Sequence, residues 1–355
     1  MTKPAAPSHE TPRATNLFRV AIVGAATLKG KEVAEVLSDR NFPSLDIKLL
    51  DDDESLGQLE SIRDEVSFIQ SVRAEQFAHV DFTFFASDPE CTRQTWKTAQ
   101  NAGSAIVDLS FVLETEPGAV VRSPWIERQL GHALALELQP GPSVVAHPAA
   151  VALALLVLRA QKAAAIQRVI ATVFEPASEH GQKGMDELHE QTVNLLSFQQ
   201  LPKNVFDTQV AFNLVARYGN QSATTLAEVE QRILRHYKII AGAAAPPPSL
   251  LTVQAPIFHG HAFSIYMETE SPADVAAIAA ALAGEHVSVT SAAQDSPSNV
   301  SAAGQGDILV SVMPDATRAN GMWLWAAADN LRIAASTAVE CAETMAATRP
   351  RGVIQ

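Results

Sequence analysis

Apolar positions along the chain change period several times, and each change marks an element. Phe18 to Val23 (FRVAIV) is nearly unbroken apolar sequence, as in a strand covered on both faces, and Gly24 to Gly30 (GAATLKG) then makes a tight turn. In Lys31 to Arg40 the apolar residues Val33, Val36 and Leu37 recur at helical spacing until Asn41–Phe42–Pro43 breaks the pattern. Leu45 to Leu50 predicts a second strand, running into Asp51, Asp52, Asp53 and Glu54. Val80 to Ala86 predicts a strand, Pro89 to Ala102 a helix and Ala105 to Leu109 a further strand. Such alternation predicts an α/β fold with a Rossmann-type, doubly wound sheet, a dinucleotide-binding-like domain over residues 17–147.

Residues 143–160 read SVVAHPAAVALALLVLRA: a β-branched run, His147 and Pro148, then a long apolar helix. A sharp strand-to-helix turn of this kind can present a nucleophile at a helix N-terminus, where peptide N–H groups and the helix dipole favour a thiolate. Here the turn offers only Ala149, Ala150, Val151 and Ala152, so the mounting is present without a reactive side chain. Beyond it come a strand at Val169–Phe174, helices around Lys183–Phe198 and Thr225–Tyr237, and a Pro-rich loop from Ala241 to Ser249. Leu251–Ile257 and Ala262–Glu268 read as paired strands, followed by a helix from Pro272 and strands at Val287–Val289 and Ile308–Met313. This order predicts an α+β substrate or dimerisation domain with a mostly antiparallel sheet over residues 148–324. A last amphipathic helix, Trp325 to about Ala346, is expected to return to the first domain, which then includes residues 325–355.

Residues 1–16 are rich in Pro, Ser and Thr and are expected to be a disordered tail, not a signal peptide. The longest apolar run, Pro148 to Leu158, is too short to cross a bilayer, so no membrane association is expected. A formal net charge of −13 over 355 residues argues against general binding to nucleic acid. The two cysteines, Cys91 and Cys341, make neither a disulfide framework nor a zinc motif, and a reducing, cytoplasmic setting fits them.

Candidate chemistry is sparse. GAATLKG keeps the first and last glycines of a dinucleotide loop, Gly24 and Gly30, but its middle position, where backbone must approach pyrophosphate, is Thr27. The same glycines would serve a strand-to-helix turn needing close packing alone. At the end of the second strand a carboxylate would bond a ribose hydroxyl and a cation a 2′-phosphate. With only acids there, NAD is preferred over NADP if any cofactor binds, and an exposed acidic loop is the alternative. His259 and His261 flank Gly260; either could be a general base, but two ligands with a bend between them do not make a metal site, and none is assigned.

Seven stretches in register resemble the aspartate-semialdehyde dehydrogenase family from about Phe18 to Cys341. They are VAIVGAATLKG, RNFP (Arg40–Pro43), NAGSAIVDLS (Asn101–Ser110), ASEHGQKGMDEL (Ala177–Leu188), QVAFN (Gln209–Asn213), APIFHGHA (Ala255–Ala262) and WAAADNLRIAA (Trp325–Ala335). The resemblance implies that AHPAA matches the family's N-P-N-C motif, placing Ala150 where the nucleophilic cysteine belongs. It implies that His261 keeps the general-base position and that Glu175 replaces the glutamine that orients the intermediate. Gln254 then replaces the arginine for the substrate carboxylate, Glu114 the arginine for phosphate and Glu54 the arginine that favours NADP. Glu228 or Glu230 stands for the carboxylate that meets the substrate amine, and Asn330 joins Gly24, Thr27 and Gly30 among cofactor-side positions. The pattern is similar to the family's Usg-type homologues, which lack the cysteine.

On that resemblance the family reaction needs a thiolate and cations for a carboxylate, a phosphate and a 2′-phosphate. The expectation is a dimeric dehydrogenase-like protein without that activity, a binding or partner subunit whose protein or small-molecule partner the sequence does not name. The alternatives are a nicotinamide-dependent oxidoreductase using His261 or His180 as acid without a covalent intermediate, and an active dehydrogenase recruiting Cys91 or Cys341. A thiol beside His261, or an arginine cluster brought in from elsewhere, would undo the expectation of a site lined by acids.

Overall fold

The computed structural model describes residues 17–52, 57–62, 65–131, 141–291 and 293–348. The tail expected over residues 1–16, and Asp53 and Glu54 of the acidic run, lie outside the described residues. The N-terminal strands are β1 (Phe18–Val23), β2 (Ser44–Asp51), β3 (Leu59–Ile62), β4 (Glu65–Phe68), β5 (Gln70–Ser71), β6 (Phe82–Phe85), β7 (Ala105–Asp108), β8 (Val120–Arg122) and β9 (Ser143–Val145). Apart from the β3–β4 hairpin they form one parallel sheet in the order β5–β2–β1–β6–β7–β9–β8. Helices cover both faces, which is why β1 and β6 read as continuous apolar runs. On one side α1 (Leu28–Asp39) and the C-terminal helix pack on Val20, Ile22, Phe82 and Phe84. On the other, Trp96 and Ala99 of α2 (Pro89–Asn101) pack on Ala21, Val23, Phe85 and Ile106. The strand order reverses between β1 and β6, so a crevice opens at their C-terminal ends, where the GAATLKG turn lies.

After the short α3 (Pro124–Leu130) and β9, the chain enters α4 (Pro148–Ala160), every residue of which is buried. At roughly 1.5–3 kcal/mol per buried large aliphatic side chain, Leu153, Leu155, Leu156 and Val157 make this helix a core pillar whatever its N-terminus does. The second sheet comprises β10 (Ile166–Glu175), β11 (Ser249–Gln254), β12 (His261–Thr269), β13 (Val287–Val289), β14 (Ile308–Pro314) and β15 (Gly321–Ala328), in the order β11–β10–β12–β15–β14–β13. Three pairings are antiparallel and two, β10 with β11 and β13 with β14, are parallel. Helices α5 (Gly181–Leu196), α6 (Leu226–Ala241), α7 (Val275–Leu282) and α8 (Asn299–Ala302) complete this half.

Two sequence expectations are corrected. The strands on either side of His259 do not pair with each other; β10 lies between β11 and β12. The link between them passes the end of β10, where the carbonyls of Ile257 and Phe258 accept the N–H groups of Ala177 and Ser178. Trp325 is not in the last helix but in β15, where Met322, Leu324 and Ala326 face the core in a period of two. The helix, α9 (Asn330–Thr348), starts after Asp329, whose carboxylate accepts the N–H groups of Leu331 and Arg332 as an N-cap. Ala335, Ala338, Val339 and Ala342 then pack into the core of the first sheet.

Candidate active site at the head of α4

His147 caps α4: its Nδ1 accepts the Ala149 N–H at 3.3 Å, Pro148 takes the first helical position, and the fully buried Ala150 follows. The backbone N–H of His147 donates to Nδ1 of His236 on α6 at 2.9 Å. That bond fixes the His236 tautomer: Nδ1 is bare, so Nε2 carries the proton and donates to Glu114 at 2.8 Å. Burial pushes the His236 pKa down despite the carboxylate, which keeps the ring in this neutral form. Glu114 also meets Arg235 at 2.6 Å and Arg232 at 3.5 Å. Burial works against its charge, but the His236 and Arg235 hydrogen bonds and the Arg232 charge hold its carboxyl down at about 2. Between these groups lies Phe111, a non-glycine residue at φ +65°, stacked on His147 at 5.5 Å with Lys29 and Arg232 over its ring at 4.8 and 5.3 Å.

Glu114 therefore does not face an anion as a bare acid. Two arginines from α6, far off in sequence, close on it, and the expectation of a site lined only by acids is corrected. One carboxylate, two guanidiniums and a neutral imidazole leave this corner cationic, so repulsion of anions is no argument about function here. The helix pattern around Thr225–Tyr237 was legible, but not that its Arg232 and Arg235 point at Glu114.

Across the cleft, the buried His261 has its Nε2 3.0 Å from Oε2 of the buried Glu175 and 3.9 Å from Oε1 of the partly buried Glu179. Burial alone would lower the His261 pKa, but the charges of Glu175 and Glu179 raise it; Glu175 is itself raised by burial. Glu179 is held at about 2 against its burial by Lys29, His147 and His261 and by the amide of Asn330, which donates to it at 2.7 Å. Asn330, expected on the cofactor side, spends its oxygen on the Gly260 N–H and the Ser178 hydroxyl. Gln254 sits at the end of a directed chain. Tyr218 donates its one hydrogen to Gln254 Oε1 at 2.7 Å, so His180 Nε2, 2.9 Å from the phenol, must be the donor to Tyr218. The Gln254 amide donates to the carbonyls of Glu175 and Ala255, leaving no polar atom for a ligand. Burial takes the His180 pKa down to about 4, so it is no acid at neutral pH.

The GAATLKG turn is closed on itself. Gly24, at φ +84°, packs against Ser87, and a Cβ on Gly30 would collide with the Gly24 carbonyl, so both glycines serve the turn's own packing. Thr27 accepts the Gly30 N–H as the N-cap of α1, and its hydroxyl faces the carbonyls of Gly24 and Ala86. Asp51 lays its carboxylate on the Ala26 N–H at 2.6 Å. Lys29 reaches 3.4 Å from the Leu109 carbonyl.

Other candidates stand apart. Cys341 is in the core of the first sheet, its thiol pushed up to about 12 by burial, and Cys91 on α2 is likewise raised by burial. His259 is separated from His261 by Gly260, whose φ of +79° bends the chain between them. Glu228 closes the capping box of α6 with Thr225, and Glu230 accepts the Thr252 N–H. Sequence reasoning missed His147, Phe111, Tyr218, Glu179 and His236 as parts of the site. A His immediately before a helix-starting proline was the one available signal.

A parallel Rossmann sheet with its crevice at β1 and β6, coupled to a mixed sheet, with an imidazole–carboxylate cluster at the head of a buried helix between them, defines a two-domain dehydrogenase architecture. Residues 19–133 match the NAD-binding domain of semialdehyde dehydrogenases, and residues 155–333 their dimerisation domain. The chain belongs to the aspartate-semialdehyde dehydrogenase-like family. It is 31% identical to a Pseudomonas aeruginosa USG-1 protein homolog, covering 74% of this chain and 76% of the relative. With the aspartate-semialdehyde dehydrogenase of Rickettsia bellii it shares 28% identity over 94% of this chain and 99% of that one. A solved structure of a probable aspartate-semialdehyde dehydrogenase from Pseudomonas aeruginosa superposes with a TM-score of 0.82 at 29% identity, covering 93% of this chain and 98% of the other.

Proposed function

We propose that this chain is a homodimeric, cytoplasmic member of the family without semialdehyde dehydrogenase activity, acting as a binding or partner subunit. One observation carries the reading: the third helical position of α4, where the family resemblance places the attacking sulfur, is the methyl of fully buried Ala150. A methyl forms no thiohemiacetal. The only thiols of the chain, Cys91 and Cys341, sit on α2 and α9 with raised pKa values, which favours neither as a substitute. The test is turnover of aspartate semialdehyde by the purified chain with NADP and phosphate; no product above the uncatalysed background is expected, and a rate of ordinary enzymatic size overturns the reading.

Pairing is supported by the open face of the second sheet. Ile170, Tyr266, Trp323 and Met313 stand in one row across β10, β12, β15 and β14, and Ile170, Met313 and Trp323 are 42–45% exposed. Among the described residues no helix is long and apolar enough to cross a membrane.

The raised His261 pKa favours a second reading, a nicotinamide-dependent reductase using His261 as acid without a covalent intermediate. The self-bonded GAATLKG turn weighs against it, and Asp51 makes NAD the better-suited cofactor. Calorimetric titration with NAD and NADH decides: no heat at millimolar nucleotide removes this reading.

A further inference from the structure

We infer that the cleft at the head of α4 is a divalent transition-metal site, with His147, Glu175 and Glu179 as its ligands and zinc as the ion that suits them best. One ring nitrogen of His147 and one carboxylate oxygen each from Glu175 and Glu179 lie within 4.8 Å of one another. Donors held ~2.1 Å from one ion are roughly 3–4 Å apart, so closure needs about an ångström of side-chain rotation. The three side chains come from elements fixed by other means: the N-cap of α4, the end of β10, and the turn that leads into α5.

A second observation points to a ligand. Glu175 is 99% buried, yet among the described residues only one of its oxygens has a partner, His261. His147, 98% buried, uses one ring nitrogen at the cap and among the described residues leaves the other without a hydrogen bond. Among the described residues no hydrogen bond or ion pair joins Lys29 to either carboxylate; its ammonium lies against the Leu109 carbonyl and the Phe111 ring, and its charge reaches Glu179 from a distance.

The outer contacts have the form a metal site uses. His261 orients Glu175, and the Asn330 amide orients Glu179. One imidazole and two carboxylates suit zinc or manganese better than calcium or magnesium, and three protein ligands leave a position for water. Binding through the free His147 nitrogen moves the ring proton to the capping nitrogen, and what is given up is the long 3.3 Å bond from the Ala149 N–H.

The test is calorimetric titration of Zn²⁺ into the chelator-treated full-length chain at neutral pH, with metal analysis after dialysis. One ion per chain is expected, with affinity at least tenfold weaker in Glu175→Gln and in Glu179→Gln. Glu179→Asp, which keeps the charge and shortens the reach by one methylene, guards against loss of fold and is expected to weaken binding as well, with an unchanged circular dichroism spectrum. Co²⁺ in place of Zn²⁺ should give visible absorption bands that move in His147→Gln. Absence of saturable binding to the unaltered chain, or equal affinity in the folded variants, overturns the site. Neither result bears on dehydrogenase turnover, which the proposed function concerns.

Discussion

Single side chains at the head of α4 have roles set by where their protons must go. His180 donates to a tyrosine whose own hydrogen is committed to Gln254, and burial holds it neutral down to a pKa of about 4. Its folded-state pKa is below that of a free imidazole, so the unfolded chain takes up a proton between pH 6.5 and 4 while the folded chain does not. Stability from this group is present above pH 6.5 and lost as pH falls toward 4, by roughly 3 kcal/mol at about 1.4 kcal/mol per pH unit. Urea unfolding at pH 7 and pH 5 should show about 2 kcal/mol of that loss in the unaltered chain and a smaller one in His180→Gln. Glu114 works in a lower window: its pKa of about 2 contributes stability above pH 4.5 that disappears as pH falls toward 2.

At the scale of elements, the Glu114 contacts tie the turn after β7 to α6, and through His236 to the backbone at the start of α4. Glu114→Gln keeps an acceptor for His236 but leaves Arg232 and Arg235 without a counter-charge. A loss of on the order of 1–3 kcal/mol is expected at pH 7, vanishing by about pH 2, with sulfate or phosphate stabilising the variant more than the unaltered chain. Thermal melts with and without phosphate check this; equal protection of both proteins contradicts it. Elements were the most legible level of the sequence, because β1, β6 and α1 each follow one period from end to end. The misreadings arose where local pattern and tertiary context disagree. Ala326–Ala328 carries no strand signal of its own and is held in β15 by Leu309 and Val310 on one side and by His261, Ala262 and Phe263 on the other. In the site, the Ala150 position was legible because a covalent role depends on one residue type. Arg232, Arg235 and His236 were not, since nothing within α6 says that its surface will meet a turn more than a hundred residues earlier.

For the whole molecule, α4 is buried throughout in the core of the second sheet, while the outer face of that sheet keeps Ile170, Trp323 and Met313 exposed around the buried Tyr266. The chain mass is 37.9 kDa. Sedimentation at micromolar concentration is expected to give twice that mass, and Trp323→Glu to return the single-chain mass without altering the melting curve of the first sheet. A monomer from the unaltered chain contradicts the pairing.

The tryptophans themselves turn that row into a reporter. Trp96 and Trp125 are shut inside the fold, Trp325 is half-buried two residues along β15, and Trp323 stands 42% exposed against Tyr266, so solvent-dependent indole emission comes mainly from the outer sheet face. Covering this face drives water from that ring and moves its fluorescence to shorter wavelength. Simple dilution of unlabelled protein would then trace self-association directly, with the colour of its own light as the readout.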